Sequence, residues 1–230
     1  MILDWPGCRN GRDLGGLATV DGGRIRHGAL LRSGRHDGLD PSVLRDAGVS
    51  RVVDLRWARE CAERPSPFAG SPVYRHVPLL NEVLDYEPPD DSYGPMLDHN
   101  RSRIAAAVRA VAEAPTGAVL VHCHAGRDRT GVLVALLLRV AGVGFDDIAD
   151  DYARTEGCTT TPMRNTLTYL EGRHGGAVPY LIGAGVEPAQ LTAVRERLVQ
   201  PGVGRQREAG AVRTNVSTSV PPYQSVRRPR

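Results

Sequence analysis

The residues best equipped for chemistry lie in one string, His122-Cys123-His124-Ala125-Gly126-Arg127-Asp128-Arg129-Thr130-Gly131. It follows an apolar run, Val119-Leu120-Val121, and leads into a stretch from Arg129 to Val140 that is apolar almost all round. A strand–loop–helix order puts Cys123 at a helix N-terminus, where unpaired backbone N–H groups and the helix dipole favour negative charge. The thiolate is the nucleophilic form of cysteine, so the position suits nucleophilic catalysis. The same N–H groups can cup the oxygens of a phosphate placed above the sulfur, and Gly126 lets the backbone curl tightly enough to aim them inward. Arg129, six residues after the cysteine, offers a planar fork for two phosphate oxygens. The Thr130 hydroxyl is placed to donate to the sulfur as it departs from a phospho-cysteine intermediate. Cys123 and Arg129 are therefore the expected catalytic pair, with His124, Ala125, Gly126, Arg127 and Thr130 around the substrate.

A bare C-x5-R is a weak signal, and a buried cysteine at an ordinary strand–helix turn is the bland explanation of it. The glycine, the Arg-Thr ending and the place between strand and helix make the combination specific. A nucleotide-type phosphate loop is excluded because G-x-x-x-x-G-K-[ST] is absent. Two other functions share part of the pattern. A sulfur-transfer enzyme of the rhodanese kind also places cysteine on a strand-to-helix loop, but the C-x5-R-T ending argues against it. A non-catalytic phosphate-binding module would have no need of the nucleophile.

The elements that must position this loop follow from periodicity and turn chemistry. A short strand is expected at Leu30-Leu31, then a helix opened by Asp40 as N-cap and Pro41 at the first helical position, closed by Gly48. Val49 to Leu55 is a β-branched run that reads as a buried parallel strand, and Tyr74 to Leu80 is a further strand. Residues 81–100 carry several Pro and Asp and are expected to form a mobile surface loop. Ile104, Ala107, Val108 and Val111 set a helix over 101–114. Gly117 to Val121 is the clearest strand, and helices are expected at 145–156, 162–172 and 188–199. Strands alternating with helices predict an α/β fold, a central, mostly parallel sheet flanked by helices, with ligands bound beyond the carboxyl ends of the strands.

The 230 residues suffice for one domain and a tail. Residues 1–200 are expected to form the catalytic domain. From Pro201 onward the periodicity ends, and 201–230 is expected to be a disordered basic tail. That tail holds a charge of +5, which leaves the body at −2 against +3 for the whole chain, so the basicity does not imply nucleic-acid binding. No apolar run approaches the ~20 residues needed to cross a bilayer, and no signal peptide is visible. Cys8, Cys61, Cys123 and Cys158 lack paired spacing, which predicts free thiols, a reducing compartment and a cytoplasmic location. One of Cys8, Cys61 and Cys158 forming a protective disulfide with Cys123 is the minor alternative. No metal-ligand spacing is present and no cofactor is expected.

H-C-x-x-G-x-x-R-T resembles the signature of cysteine-dependent protein tyrosine phosphatases and their dual-specificity relatives. The full string is similar to that of the bacterial tyrosine/serine protein phosphatase family. Asn10-Gly11-Arg12-Asp13-Leu14-Gly15-Gly16, Leu31-Arg32-Ser33-Gly34, Val53-Asp54-Leu55-Arg56, Asp151-Tyr152, and Tyr180-Leu181 with Ala184-Gly185-Val186 fall in that family's order. The resemblance spans about residues 8–199 and implies a dual-specificity-phosphatase-like fold with the phosphate loop between strand and helix. It implies a phosphomonoesterase acting on phosphotyrosine proteins, with phosphoserine/threonine or phosphoinositides as competing substrates. The partners are then phosphorylated proteins or phospholipids, with no nucleic acid and no stable membrane insertion.

Departure of an alkoxide needs a proton donor. The resemblance implies that Asp128 is the acid. Asp54, at the end of its expected strand, is the second candidate, with an ion pair to Arg12 or Arg56 as the competing reading. His122 is expected to support the loop by hydrogen bonding, and Arg12 and Asp13 to form a salt-bridged clasp. Two departures stand out. Arg127 occupies a position where the family usually has lysine, and only 27 residues separate Tyr152 from Tyr180, too few for the long helical lid of some members.

Overall fold

In the computed structural model, which describes residues 2–3, 5–87 and 89–202, the apolar runs read from the sequence meet at the centre of one five-stranded sheet. The first half of the chain holds β1 (Arg12–Asp13), β2 (Arg24–Ile25), β3 (Leu30–Ser33), α1 (Ser42–Asp46), β4 (Val49–Asp54), α2 (Ala58–Glu63) and β5 (Tyr74–His76). Then come α3 (Gly94–His99), α4 (Arg101–Ala112), β6 (Ala118–His122) and α5 (Asp128–Ala141). The last part holds α6 (Phe145–Ala153), α7 (Thr160–His174), α8 (Ala177–Gly183), α9 (Pro188–Leu198) and β7 (Val199–Gln200).

The sheet runs β1-β3-β6-β4-β5, antiparallel between β1 and β3 and parallel at every other pair. β2 and β7 form a separate antiparallel pair. β6 sits in the middle because both its faces are apolar and successive side chains point to opposite sides. Val119 and Val121 pack into a large core that includes residues of α4, α5 and α9, while Ala118 and Leu120 join a smaller one with Leu44 of α1 and Phe68. Each fully buried leucine or valine is worth about 1.5–3 kcal/mol, so the helices are fixed on the sheet by these two layers. A βα loop leaving the carboxyl end of a central strand opens into the crevice above the sheet, and the β6–α5 connection is such a loop.

Several expectations are adjusted. Pro41 already has helical dihedrals, with the Asp40 carboxylate accepting the Ser42 N–H at 2.8 Å, so the cap works as expected although α1 is short. The strand expected over Tyr74 to Leu80 ends at His76, since Pro78 has no N–H with which to extend a ladder. The expected loop of 81–100 contains α3, whose Met96 and Leu97 are buried. Short α2 and α8 escaped the periodicity argument; α8 follows the Gly175-Gly176 pair and contains Pro179. The segment between Tyr152 and Tyr180 is mainly α7, packed inward through Met163, Leu167 and Leu170. Most of the expected tail, 203–230, lies outside the described residues, and no helix of the described residues is long and apolar enough to cross a membrane.

Candidate active site

The loop from Cys123 to Arg127 owes its shape to where its carbonyls are tied. The His124 carbonyl accepts Arg35 N–H at 3.0 Å, the Ala125 carbonyl accepts Asn10 Nδ2 at 2.9 Å, and the Gly126 carbonyl accepts Arg32 Nη2 at 2.8 Å. The Arg127 carbonyl takes the Gly131 N–H at 2.7 Å. Among the described residues, the backbone N–H groups of His124, Ala125, Gly126 and Arg127 donate to no protein acceptor. Four consecutive donors without partners, with their carbonyls drawn away, form a ready anion cradle. Gly126 has φ +73°, and a Cβ there would stand 2.5 Å from the Gly34 nitrogen, so glycine is required both for conformation and for space. Asn10 stitches this arrangement from outside. It has φ +56° and also accepts the Glu156 N–H at 3.1 Å.

Arg32 is aimed at the loop by a buried ion cluster. Asp151 of α6 accepts Arg12 Nε at 2.7 Å and Arg32 Nη1 at 2.9 Å, with all three side chains at most 4% exposed. Burial raises the Asp151 pKa, but the two guanidiniums outweigh it and hold the carboxyl below the usual carboxylate range. Asp151→Asn is expected to cost about 3 kcal/mol because it strands two buried cations, read as a lower midpoint in urea unfolding; a loss under ~1 kcal/mol would mean water or relaxation replaces the pair. For a depressed carboxyl this stabilisation is complete above about pH 4 and lost as the pH falls below it.

Arg129 is held from the opposite side. Its Nη1 and Nη2 donate to Glu60 at 2.5 and 2.9 Å, and its guanidinium lies 4.8 Å over the Trp57 ring. Glu60 also accepts the Trp57 N–H at 2.7 Å in a capping box at the start of α2. Burial raises the Glu60 pKa, but Arg129 and the cap bond lower it further, so the carboxylate stays ionised. With the terminal edge of the guanidinium on Glu60, the Nε–Nη edge remains for a phosphate. The cleft beside it has a volume of about 610 Å³ and is bordered by Trp57, Leu84, Met96, Arg127, Asp128 and Arg129. Cys123, at the start of the loop, is only 2% exposed.

The tyrosine phosphatase family profile matches residues 3–165. This chain belongs to the tyrosine phosphatase family. It is 31% identical over 206 residues to a Cupriavidus necator protein named as a tyrosine-protein phosphatase, covering 81% of this chain and 71% of that one. It is 28% identical over 247 residues to the triple specificity protein phosphatase PtpB of Mycobacterium tuberculosis, covering 90% and 85%. A solved structure, TpbA of P. aeruginosa, aligns with 19% identity and a TM-score of 0.40 over 74% of this chain and 89% of that one.

Within this phosphatase the expected site residues separate clearly. Asp128 borders the cleft, accepts the Tyr93 hydroxyl at 2.5 Å and accepts Arg127 Nε at 3.1 Å. Asp54 does not reach the cleft. It is fully buried, grips Arg56 at 2.6 Å, accepts the Tyr74 hydroxyl at 2.9 Å, and is bounded by His122 Nε2 at 3.5 Å. Burial raises its pKa, but His122 and the Arg56 fork outweigh that, and a carboxyl locked in its ionised form has no proton to give. Its expected role as second proton donor is therefore withdrawn in favour of the Arg56 ion pair. His122 is buried, which pushes its pKa down, and its Nδ1 lies 3.3 Å from the Cys123 carbonyl, a supporting position.

His124 and Ala125 border not the main cleft but a second hollow of about 460 Å³ behind the loop, shared with Arg127 and Arg35. The Thr130 hydroxyl was expected to donate to the Cys123 sulfur. It is fully buried and, among the described residues, makes no hydrogen bond. Asp13 accepts the Gly15 and Gly28 N–H groups and faces His27 Nδ1 at 3.3 Å, while Arg12 pairs with Asp151. The four cysteines are free. Burial pushes the Cys61 thiol up to about 11 and raises Cys8, so both stay protonated at neutral pH. Glu60, Trp57, Tyr93, Asn10 and Arg32 were not singled out for function from sequence. A Glu three residues after Trp57 was the one available signal for the Glu60 cap.

Proposed function

We propose that residues 1–200 form a cysteine-dependent phosphatase that hydrolyses phosphotyrosine in proteins through a phospho-cysteine on Cys123. The observation that carries this reading is the set of four unpartnered backbone N–H groups around Cys123, closed by an Arg129 held in place by Glu60. In the first step the Cys123 sulfur attacks phosphorus and forms the S–P bond while the ester P–O bond breaks. Asp128 passes its proton to the departing oxygen. In the second step water attacks phosphorus, Asp128 takes the proton, and the S–P bond breaks to return the thiolate and free phosphate. The cradle and the Arg129 edge neutralise the charge on the phosphoryl oxygens throughout, so the stabilising groups need no reorganisation.

The aryl preference is supported by the cleft walls, where Trp57, Leu84, Tyr86 and Met96 offer an apolar slot beside the charged loop. Free thiols suit the reducing, cytoplasmic setting expected from the sequence. The test is hydrolysis of one peptide sequence phosphorylated on tyrosine or on serine, with a phosphoinositide as third substrate. The phosphotyrosine peptide is expected to lead in kcat/KM by at least about tenfold. A lead for phosphoserine or phosphoinositide would overturn the substrate assignment and leave the phosphatase class untouched.

A further inference from the structure

Asp128 is expected to carry the proton, yet its side chain is not left to rotate in the cleft. The Tyr93 hydroxyl donates to Oδ1 at 2.5 Å, and the Tyr152 hydroxyl stands 2.7 Å from the Tyr93 oxygen. Because Tyr93 gives its single hydrogen to the carboxylate, Tyr152 donates to Tyr93 in turn. Burial, and for Tyr93 the bond to Asp128, raise both phenol pKa values, so both hydrogens stay in place across the working pH range. The two rings meet edge to face at 6.1 Å between centroids.

Both tyrosines are anchored by independent contacts. The Tyr93 N–H is accepted by Thr166 of α7 at 2.8 Å, just before α3, which buries Met96 and Leu97. The Tyr152 ring packs so closely on α5 that a Cβ on Gly131 would stand 2.9 Å from it. The charged and titratable groups around Asp128 are Arg127 and Arg129 on either side of it in the chain, Tyr93 from the segment before α3 and Tyr152 from α6, with Asp90 and Cys158 lining the same cleft.

We propose that Tyr93, held by Tyr152, is the positioning residue that fixes the Asp128 carboxyl in the orientation from which it serves as the acid. Tyr152 follows Asp151 directly, so two adjacent residues of α6 brace the C-terminal side of the phosphate loop where it enters α5. Asp151 acts through Arg32 on the Gly126 carbonyl, and Tyr152 acts through Tyr93 on Asp128. The Tyr93 bond occupies Oδ1 and leaves Oδ2, touched by Arg127 Nε at 3.3 Å, as the oxygen that presents the proton. Removal of the Tyr93 hydroxyl frees the Asp128 side chain to rotate.

The inference rests on Asp128 being the acid, and the experiment separates the two. Tyr93→Phe, Tyr152→Phe, Asp128→Asn and the Tyr93→Phe/Asp128→Asn pair are compared on phenyl phosphate, whose leaving group needs a proton, and p-nitrophenyl phosphate, whose leaving group needs it little. Tyr93→Phe is expected to lower kcat on phenyl phosphate about tenfold and on p-nitrophenyl phosphate less than about twofold, with KM nearly unchanged. Tyr152→Phe should show the same split between the two substrates more weakly, and the Tyr93→Phe/Asp128→Asn pair should match Asp128→Asn alone. Equal losses on both substrates, or losses that add in full to those of Asp128→Asn, would overturn the positioning role. An Asp128→Asn enzyme that treats the two substrates alike would overturn the acid assignment itself, and the proposal with it.

Discussion

Cys123→Ser is expected to lower kcat by at least about 10⁴ while binding of a phosphotyrosine peptide changes by no more than a few-fold. The reason lies in how the loop divides its labour. In the proposed mechanism binding depends on the N–H groups of His124 to Arg127 and on the free edge of Arg129, and their geometry is set by carbonyl ties to Arg35, Asn10 and Arg32 and by Glu60. None of those ties involves the Cys123 side chain. Serine is close to cysteine in size, so the 2%-exposed position should accept it without reshaping the cradle. What is lost is the nucleophile, because a neutral hydroxyl with no adjacent base attacks phosphorus poorly. Titration calorimetry beside steady-state kinetics checks both halves. Turnover near that of the wild type would contradict the mechanism.

Arg129→Lys is expected to cost about 10²–10³ in kcat, although the charge is kept. The guanidinium makes two bonds to Glu60 and lies on Trp57, and its remaining Nε–Nη edge is the one that takes the phosphoryl oxygens in the proposed mechanism. An ammonium is a point charge without a fork. It can satisfy Glu60 or the phosphate, and the half-buried Glu60 carboxylate competes strongly for it. The loss should appear mainly in kcat, because the charge on the equatorial oxygens must be matched in the transition state. Inhibition by vanadate, which adopts a transition-state-like geometry, should weaken in parallel. A Lys variant within about threefold of wild type would show that charge alone suffices at this position.

The sequence carried the loop plainly because strand, glycine, Arg-Thr ending and helix are all local features. Val119 to Val121 and the apolar Arg129 to Val140 stretch could be placed without tertiary information, as could α4, α7 and α9. The residues that complete the site were hidden because their roles are made by distance in the chain. Tyr93 meets Asp128 across 35 positions from a Pro- and Asp-rich segment that read as surface loop. Glu60 meets Arg129 across 69 positions from a six-residue helix too short to show a period. Asn10 reaches the Ala125 carbonyl across 115 positions, and no local rule marks an asparagine for that task. Asp54 shows the opposite difficulty. Its place at the end of a strand was read correctly and that strand does lie beside β6, but only burial and the Arg56 grip decide between a proton donor and an ion pair.

The central claim is the covalent intermediate, and acid quenching of the wild-type enzyme within milliseconds of mixing with a phosphotyrosine peptide tests it most directly. Mass spectrometry of the digested protein should find one phosphoryl group on the peptide containing Cys123, decaying as free phosphate appears. Phosphate release with no phosphorylated Cys123 at any time point, or with the group on another residue, would contradict the account.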